Sequence, residues 1–148
     1  MSDNTSAGAP LEVDTRFGPF VGAAADVVTL PDGVPGFERC RRFVLAALPG
    51  IAPFTCVQGL DEPRPSFLAI DPRLVVEGYA QSLSEADRAR LDAAAGDPLV
   101  WLSLVQTDGE HATVNLRAPI IINPRRMVGL QMIPVESGYA IDHPLPLD

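Results

Sequence analysis

The sequence has little cysteine, little positive charge and no long apolar run, and each shortage excludes a class of protein. The two cysteines, Cys40 and Cys56, lack C-x-x-C spacing, which excludes a disulfide framework and favours buried thiols in a reduced cytosol over a bridge between them. Eleven basic residues against 19 acidic ones give a net charge of −8, without the basic footprint that a nucleic-acid binder needs. Neither a signal-peptide core nor a run of membrane-spanning length is found. We expect a cytoplasmic protein that binds neither nucleic acid nor membrane directly.

Residue patterns that carry enzyme chemistry are also missing. The sequence contains no G-x-S-x-G, no phosphate-binding G-x-x-x-x-G-K-S/T, no G-x-G-x-x-G after a strand and no H-E-x-x-H. A metal site normally needs three or four ligands with local spacing, and His111 and His143 lie far apart. We therefore expect no catalytic residue, no metal and no cofactor.

An enzyme or small-ligand barrel that uses loop carboxylates is the alternative from a different functional class. Asp61 and Glu62 are adjacent, and Asp71 follows a predicted strand. Acid–base catalysis needs two carboxylates in environments that separate their pKa values, whereas carboxylates in loops are usually solvated. A deep pocket lined by these residues would favour the alternative, and a packed interior with the charges outside would oppose it.

Short apolar runs separated by turns dominate the composition that is present. Hydrophobic residues make up 47% of the chain, and 15 prolines and 12 glycines lie between the runs, which predicts many short strands joined by tight turns. The predicted strands cover residues 11–15, 20–21, 26–30, 42–45, 54–58, 66–70, 99–105, 112–116, 120–122 and 127–133. The fold class is therefore mostly β, a small antiparallel β-barrel or a barrel-like sandwich.

The domain boundaries follow from the same pattern. Residues 1–10 are polar and predict a disordered N-terminal tail, and residues 11–143 form a single domain without a linker that could divide it. Residues 144–148 form a C-terminal tail, and we expect no regular structure over residues 134–148.

One short peripheral helix is predicted after Ser84. Ser84 has the character of an N-cap, Glu85 and Asp87 place negative charge in the first turn, and Arg88 and Arg90 place positive charge near the end. The segment is polar on most faces, so it does not belong to the core.

The densest turn signal lies in residues 27–43. A P-D-G turn (residues 31–33) and a P-G turn (residues 35–36) follow a β-branched run, and proline and glycine together predict a rigid double turn. The turn presents Phe37 beside Glu38 instead of a nucleophile, a base or a phosphate cradle. This pattern indicates a shaped contact surface, with packing of Phe37 beneath its own turn as the alternative.

Seven segments carry a family resemblance through their order and spacing. They are L-P-D-G-V-P-G-F-E (residues 30–38), P-F-T-C-V-Q (53–58), D-E-P (61–63), I-D-P (70–72), L-S-E-A-D (83–87), T-V-N-L-R-A-P-I-I-I-N (113–123) and G-L-Q (129–131). Together they resemble the FliW family of flagellar assembly factors over residues 11–143. The chain departs from similar sequences at two positions. Gly59 stands where we expect serine in similar sequences, and the glycine is expected to loosen the loop before Asp61. Asp142, before His143, stands where we expect a basic residue.

The resemblance implies a β-barrel-like protein without catalysis that binds two partners. Members of the family bind the basic translational repressor CsrA and also flagellin; accumulated flagellin occupies the FliW-like protein, and the released CsrA then represses flagellin translation. A charge of −8 agrees with a basic protein partner, since opposite fields raise the encounter rate, although the simpler interpretation is that the charge maintains solubility. A chaperone that binds flagellin alone is a further alternative.

Exposed partner contacts are predicted at two sets of residues. The members are Phe37, Glu38, Asp61 and Glu62 in turns, and Asn115, Arg117 and Gln131 in or beside strands. For Asn115 and Gln131 the alternative is a structural role, in which their amides cap backbone groups where strands become irregular.

Overall fold

The computed structural model describes residues 10–146, and within this range the chain forms eleven strands and one α-helix. The strands are β1 (Pro10–Thr15), β2 (Gly18–Ala23), β3 (Val27–Thr29), β4 (Arg42–Ala46), β5 (Thr55–Gly59), β6 (Ser66–Ile70), β7 (Val100–Thr107), β8 (Ala112–Val114), β9 (Ile120–Asn123), β10 (Val128–Gln131) and β11 (His143–Leu145). The helix, α1, covers Glu85–Arg90. Short 3-10 turns cover Ala24–Asp26, Pro49–Ile51 and Pro72–Leu74.

Seven of the strands close into a barrel. Their order is β7-β6-β5-β4-β3-β10-β9, and β9 pairs back with β7 through the register Val100↔Ile122 to Leu102↔Ile120. β8 and β11 continue the sheet outside this ring, and β1 and β2 form a separate hairpin. The predicted mostly β barrel with one short helix is confirmed. The pairing of β10 with β3 is parallel, because β10 turns back along β9 and thereby runs in the direction of β3.

The barrel interior is filled by apolar side chains. Its fully buried members include Val28, Phe43, Val57, Ile120 and Ile122, contributed by four different strands. Side chains alternate between the two faces of a strand, so residues at every second position of these strands meet inside the ring. The interior is therefore a packed core and leaves no space for a ligand.

Two smaller apolar clusters lie outside the ring, and Trp101 of β7 packs against both. The first contains Tyr79, whose hydroxyl donates a hydrogen bond to the Leu116 carbonyl at 2.7 Å. The second contains Leu91, the residue that follows α1, so the helix covers the outside of the barrel as predicted. Ser84 caps it by accepting a hydrogen bond from the Asp87 N–H group at 3.0 Å. Within residues 10–146 no helix has the length and apolar character that a membrane crossing requires.

Two expectations about the ends of the chain differ from the structure. Residues 143–145 form β11, which pairs with β8, whereas residues 134–148 were expected to lack regular structure. The strand has three residues and contains a proline, so its sequence carries no periodic signal. Pro10 begins β1, and residues 1–9 and 147–148 of the predicted tails lie outside the described residues.

Gly59 does not loosen the loop before Asp61, contrary to the expectation from sequence. It is the last residue of β5, and its N–H group donates to the Pro65 carbonyl at 2.7 Å. A Cβ atom at this position would lie 2.6 Å from both Cys40 Sγ and a Pro65 ring carbon. The glycine is therefore required by close packing. Cys40 and Cys56 are buried free thiols, as predicted.

The double turn is rigid because consecutive hydrogen bonds close it. The N–H groups of Gly33, Phe37 and Cys40 donate to the carbonyls of Leu30, Val34 and Phe37 at 2.7–3.0 Å. Gly33 has φ +63°, and a Cβ there would lie 2.5 Å from the Phe37 carbonyl oxygen. Both the positive φ and the close backbone approach therefore require glycine at position 33.

The β5–β6 loop is fastened to β4 by Asp61. Its carboxylate accepts the N–H groups of Arg41 and Arg42 at 3.0 and 3.1 Å and pairs with the Arg42 guanidinium at 2.7 Å. The Arg42 side chain and then the Arg41 N–H group lower the pKa of Asp61 to about 2. Asp61 thus joins the β5–β6 loop to the end of the segment that leads from the double turn into β4.

We expect Gly33→Ala to lower the free energy of unfolding by about 2 kcal/mol, because an alanine strains the backbone and collides with Phe37. Urea denaturation measures the change. Gly50→Ala is the matched control, because its Cβ meets no atom within 4 Å and its φ is not positive. Equal stability of the two variants would contradict the steric argument.

We expect Asp61→Asn to lower the free energy of unfolding by about 1 kcal/mol near neutral pH, after allowance for solvent screening. The folded pKa lies below the unfolded value, so the ionised carboxylate stabilises the fold above about pH 4, and this contribution is lost as pH falls toward about 2. The gap between variant and parent in urea denaturation should therefore narrow on acidification. Glu62→Gln, at an exposed ion pair, is the control and should change the free energy of unfolding by less than Asp61→Asn near neutral pH.

Candidate partner-binding surface

The structure brings three of the predicted contact residues together around a shallow depression. Phe37 and Glu38 from the double turn face Glu62 and Pro63 from the β5–β6 loop, and the depression has a volume of about 460 Å³. We call this surface the Phe37 depression. Asp61 lies next to it but is engaged with Arg42, so the negative charge of the depression comes from Glu38 and Glu62, which lie beside Arg39.

Phe37 is half-buried and belongs to two environments. One part of the ring packs against the barrel core and meets Phe67 edge to face, with ring centroids 5.3 Å apart. Another part lines the Phe37 depression and the larger groove beside it. The contact hypothesis and the packing alternative each describe one side of this ring.

The carboxylates of Glu38 and Glu62 point to solvent. Glu38 Oε2 accepts the Gly36 N–H group at 3.0 Å, and this hydrogen bond lowers the pKa of Glu38, so the charge persists in mild acid. Glu62 lies 3.1 Å from Arg64 Nε, but its side chain is 81% exposed. An ion pair that is so open to water is weak, and a partner can replace Arg64 at little cost.

An aromatic groove adjoins the Phe37 depression across Phe37 and Pro63. Its volume is about 930 Å³, and it runs between the β1–β2 turn and the β7–β8 hairpin. Phe17 and Phe67 contribute the other two rings. Neither ring was predicted from the sequence, because residues so far apart in the chain converge only in the folded barrel.

A polar network fixes the β1–β2 hairpin against this groove. Arg16 donates its N–H group to Ser66 Oγ at 3.1 Å and its guanidinium to the Ser66 carbonyl at 3.0 Å, and Ser66 Oγ donates to Gln58 Oε1. Gln58 is buried and donates to the carbonyls of Gly59 and Arg64 at 2.9 and 3.2 Å. The polar residue inside the apolar β5 run was the available signal for this network.

Asn115, Arg117 and Gln131 form a second group around one short backbone segment. Asn115 Oδ1 accepts the N–H groups of Arg117 and Ala118 at 3.1 and 3.0 Å, and Gln131 Nε2 donates to the Ala118 carbonyl at 3.0 Å. Both amides thus bond to backbone, as the structural alternative requires. No hydrogen bond or ion pair of residues 10–146 joins them to the Phe37 depression, and their contact with a partner stays a prediction.

Asn123 is a structural polar residue whose role the sequence pattern does not reveal. It is fully buried, and its Nδ2 donates to the carbonyls of Leu91 and Asp92 at 2.9 and 3.2 Å. Those carbonyls end α1, so a side chain from β9 replaces the water that would otherwise satisfy them. Asn123 therefore anchors the helix to the barrel.

The arrangement offers no geometry that favours the enzyme alternative. Asp61 and Asp71 are each paired with an arginine at 2.7 Å outside the packed barrel interior. In the part of the chain that is described, no three His, Cys, Asp or Glu side chains converge as metal ligands. What the surface offers instead is a half-buried ring, two exposed carboxylates and an apolar groove, a composition that suits protein contact.

Comparison with known proteins agrees with the fold and its motifs. The FliW protein family model matches residues 12–145. The flagellar assembly factor FliW of Geobacter sulfurreducens is 36% identical over 132 residues, which is 88% of this chain and 82% of that protein. The FliW of Thermosipho africanus is 33% identical over 138 residues, covering 91% and 95%.

A solved structure extends the similarity to three dimensions. A crystal structure of the flagellar assembly factor FliW superposes with a TM-score of 0.81 and 26% identity, covering 90% of this chain and 96% of that one. The family match spans β1 to β11 and includes both turns that shape the Phe37 depression. The chain belongs to the FliW family of flagellar assembly factors.

Proposed function

We propose that this chain is a non-enzymatic, cytoplasmic regulator of flagellar assembly that exchanges two protein partners. One partner is a basic RNA-binding repressor of the CsrA type, and the other is flagellin. While flagellin is scarce the chain holds the repressor, and flagellin translation proceeds. Accumulated flagellin takes the chain away, and the released repressor acts. Membership of the FliW family supports the flagellar role.

The observation that carries the proposal is the exposure of Glu38 and Glu62 on one rigid depression beside Phe37. The double turn and the Asp61 anchor hold these carboxylates in place before a partner arrives, so binding does not have to order a loop. Two exposed carboxylates on a chain of charge −8 attract a basic surface and repel RNA.

The aromatic groove gives the second partner a surface of different chemistry. Phe17, Phe37 and Phe67 line its apolar part, which suits an apolar stripe of a helical segment. Because Phe37 lines both the groove and the Phe37 depression, the two surfaces share a wall. A shared wall allows one partner to disturb the site of the other. Asn115, Arg117 and Gln131 are proposed as a separate contact.

The test is calorimetric titration of the full chain with CsrA and, separately, with flagellin, at low and at high salt. The proposal requires binding to both, with the CsrA affinity falling as salt rises because charged groups form that contact. Binding to flagellin alone supports the chaperone alternative, and binding to neither partner contradicts both.

We expect the double variant Glu38→Lys with Glu62→Lys to lower the affinity for CsrA about tenfold or more at low salt. The affinity of the variant should also depend less on salt concentration. Glu77→Lys with Glu136→Lys is the matched control, since it makes the same change in net charge at two other exposed carboxylates. A loss of similar size in the control would show that overall charge, and not the Phe37 depression, governs binding.

A further inference from the structure

The β1–β2 hairpin has two open sheet edges. Among residues 10–146, β1 pairs with β2 alone and β2 pairs with β1 alone, in the register Pro10↔Ala23 to Thr15↔Gly18. The hairpin is held to the rest of the molecule at its turn, where Arg16 bonds to Ser66. Each strand therefore directs half of its backbone groups toward solvent, where another strand can pair with them.

The two edges differ in what they offer. A two-residue turn closes on a hydrogen-bonded pair, which here is Thr15 with Gly18, so the next pair and every second pair beyond it direct their backbone groups outward. On β1 the outward residues are Asp14, Glu12 and Pro10, and Asp14 and Glu12 each have an N–H and a carbonyl group. On β2 they are Pro19, which has no N–H group, Val21, and Ala23, whose N–H group already donates to Asp26 Oδ2 at 2.8 Å. Next to the turn, β1 therefore offers two consecutive outward N–H groups, whereas β2 offers only that of Val21.

The side chains of the β1 edge alternate in character. Glu12 and Asp14 are exposed on one face, and neither has an ion-pair partner among the residues described. Leu11 and Val13 are half-buried on the other face. A strand laid beside β1 would place its own side chains next to these in the same alternation.

We infer that the β1 edge receives an extended segment of a basic protein, in which arginine or lysine alternates with apolar residues. The backbone groups of Glu12 and Asp14 supply pairing, and their carboxylates select the charge. A second copy of this chain is disfavoured, because two β1 strands side by side would oppose their own carboxylates. Arg16 and Phe17 carry this edge onto the aromatic groove, so the surface is continuous with Phe37.

The inference rests on the proposed function only for the identity of the basic partner. What it adds is the mode of binding, which is strand addition to β1. The chemistry of the edge is therefore tested without CsrA. The probe is a fluorescent, acetylated peptide of six residues that alternates arginine with valine, titrated with the full chain by anisotropy. A glutamate–valine peptide of equal length reports binding that ignores charge.

Asp14→Pro removes an outward N–H group from β1 and is expected to lower the affinity for the arginine–valine peptide about tenfold. Val21→Pro makes the same change on the other edge and should leave binding within about twofold of the parent. Asp14→Asn, which removes the charge and keeps the N–H group, should lie between them. Equal losses from the two proline variants, or no binding by the parent, would overturn the inference.

Glu12→Lys with Asp14→Lys makes the result independent of any loss of folding. This variant should exchange its preference, binding the glutamate–valine peptide and rejecting the arginine–valine one, which an unfolded hairpin cannot do. Failure of the exchange would count against the site. If CsrA does not bind the chain while the peptide pattern holds, the proposed function fails and the strand-addition site stands.

Discussion

The pairing of β7 with β9 is the contact on which the rest of the structure depends. β7 shares one edge between two partners: residues 100–102 pair with β9 and close the ring, whereas residues 105–107 pair with β8 outside it. Closure buries Leu102 in the interior and leaves Trp101 to cover the two outer clusters. It also places the ends of neighbouring strands at one rim, where the double turn and the β5–β6 loop meet.

Local signals sufficed for the elements whose stability is decided within a few residues. Ser84 caps α1 as its position before an acidic turn predicts, and the proline and glycine pairs of residues 31–36 make the rigid turns expected of them. Residues 99–105 were recognisable as a central strand because they are apolar on both faces, and β7 indeed contacts three other strands. Barrel fold and single helix followed from such signals.

Features that depend on distant contacts could not be predicted. Asp61 and Glu62 are adjacent in sequence and both carry a carboxylate, yet only Asp61 pairs with Arg42. The pairing of β4 with β5 brings Asp61 and Arg42 together. β11 exists because β8 offers it an edge, and the convergence of Phe17 and Phe67 needs the finished ring. The turn residues of the candidate surface could therefore be named from the sequence, whereas Phe17 and Phe67 of the aromatic groove could not.

The close packing of Gly59 against Cys40 and Pro65 links three positions on different segments. A side chain at position 59 needs space that the Cys40 sulfur occupies, so a substitution at one position is acceptable only after another has made room. If the β5–β6 loop, including position 59, came from a relative with serine there, the serine side chain would collide with Cys40 Sγ. Chimeras within the family should therefore exchange residues 27–43 and this loop together, because side chains from both segments pack in the same space.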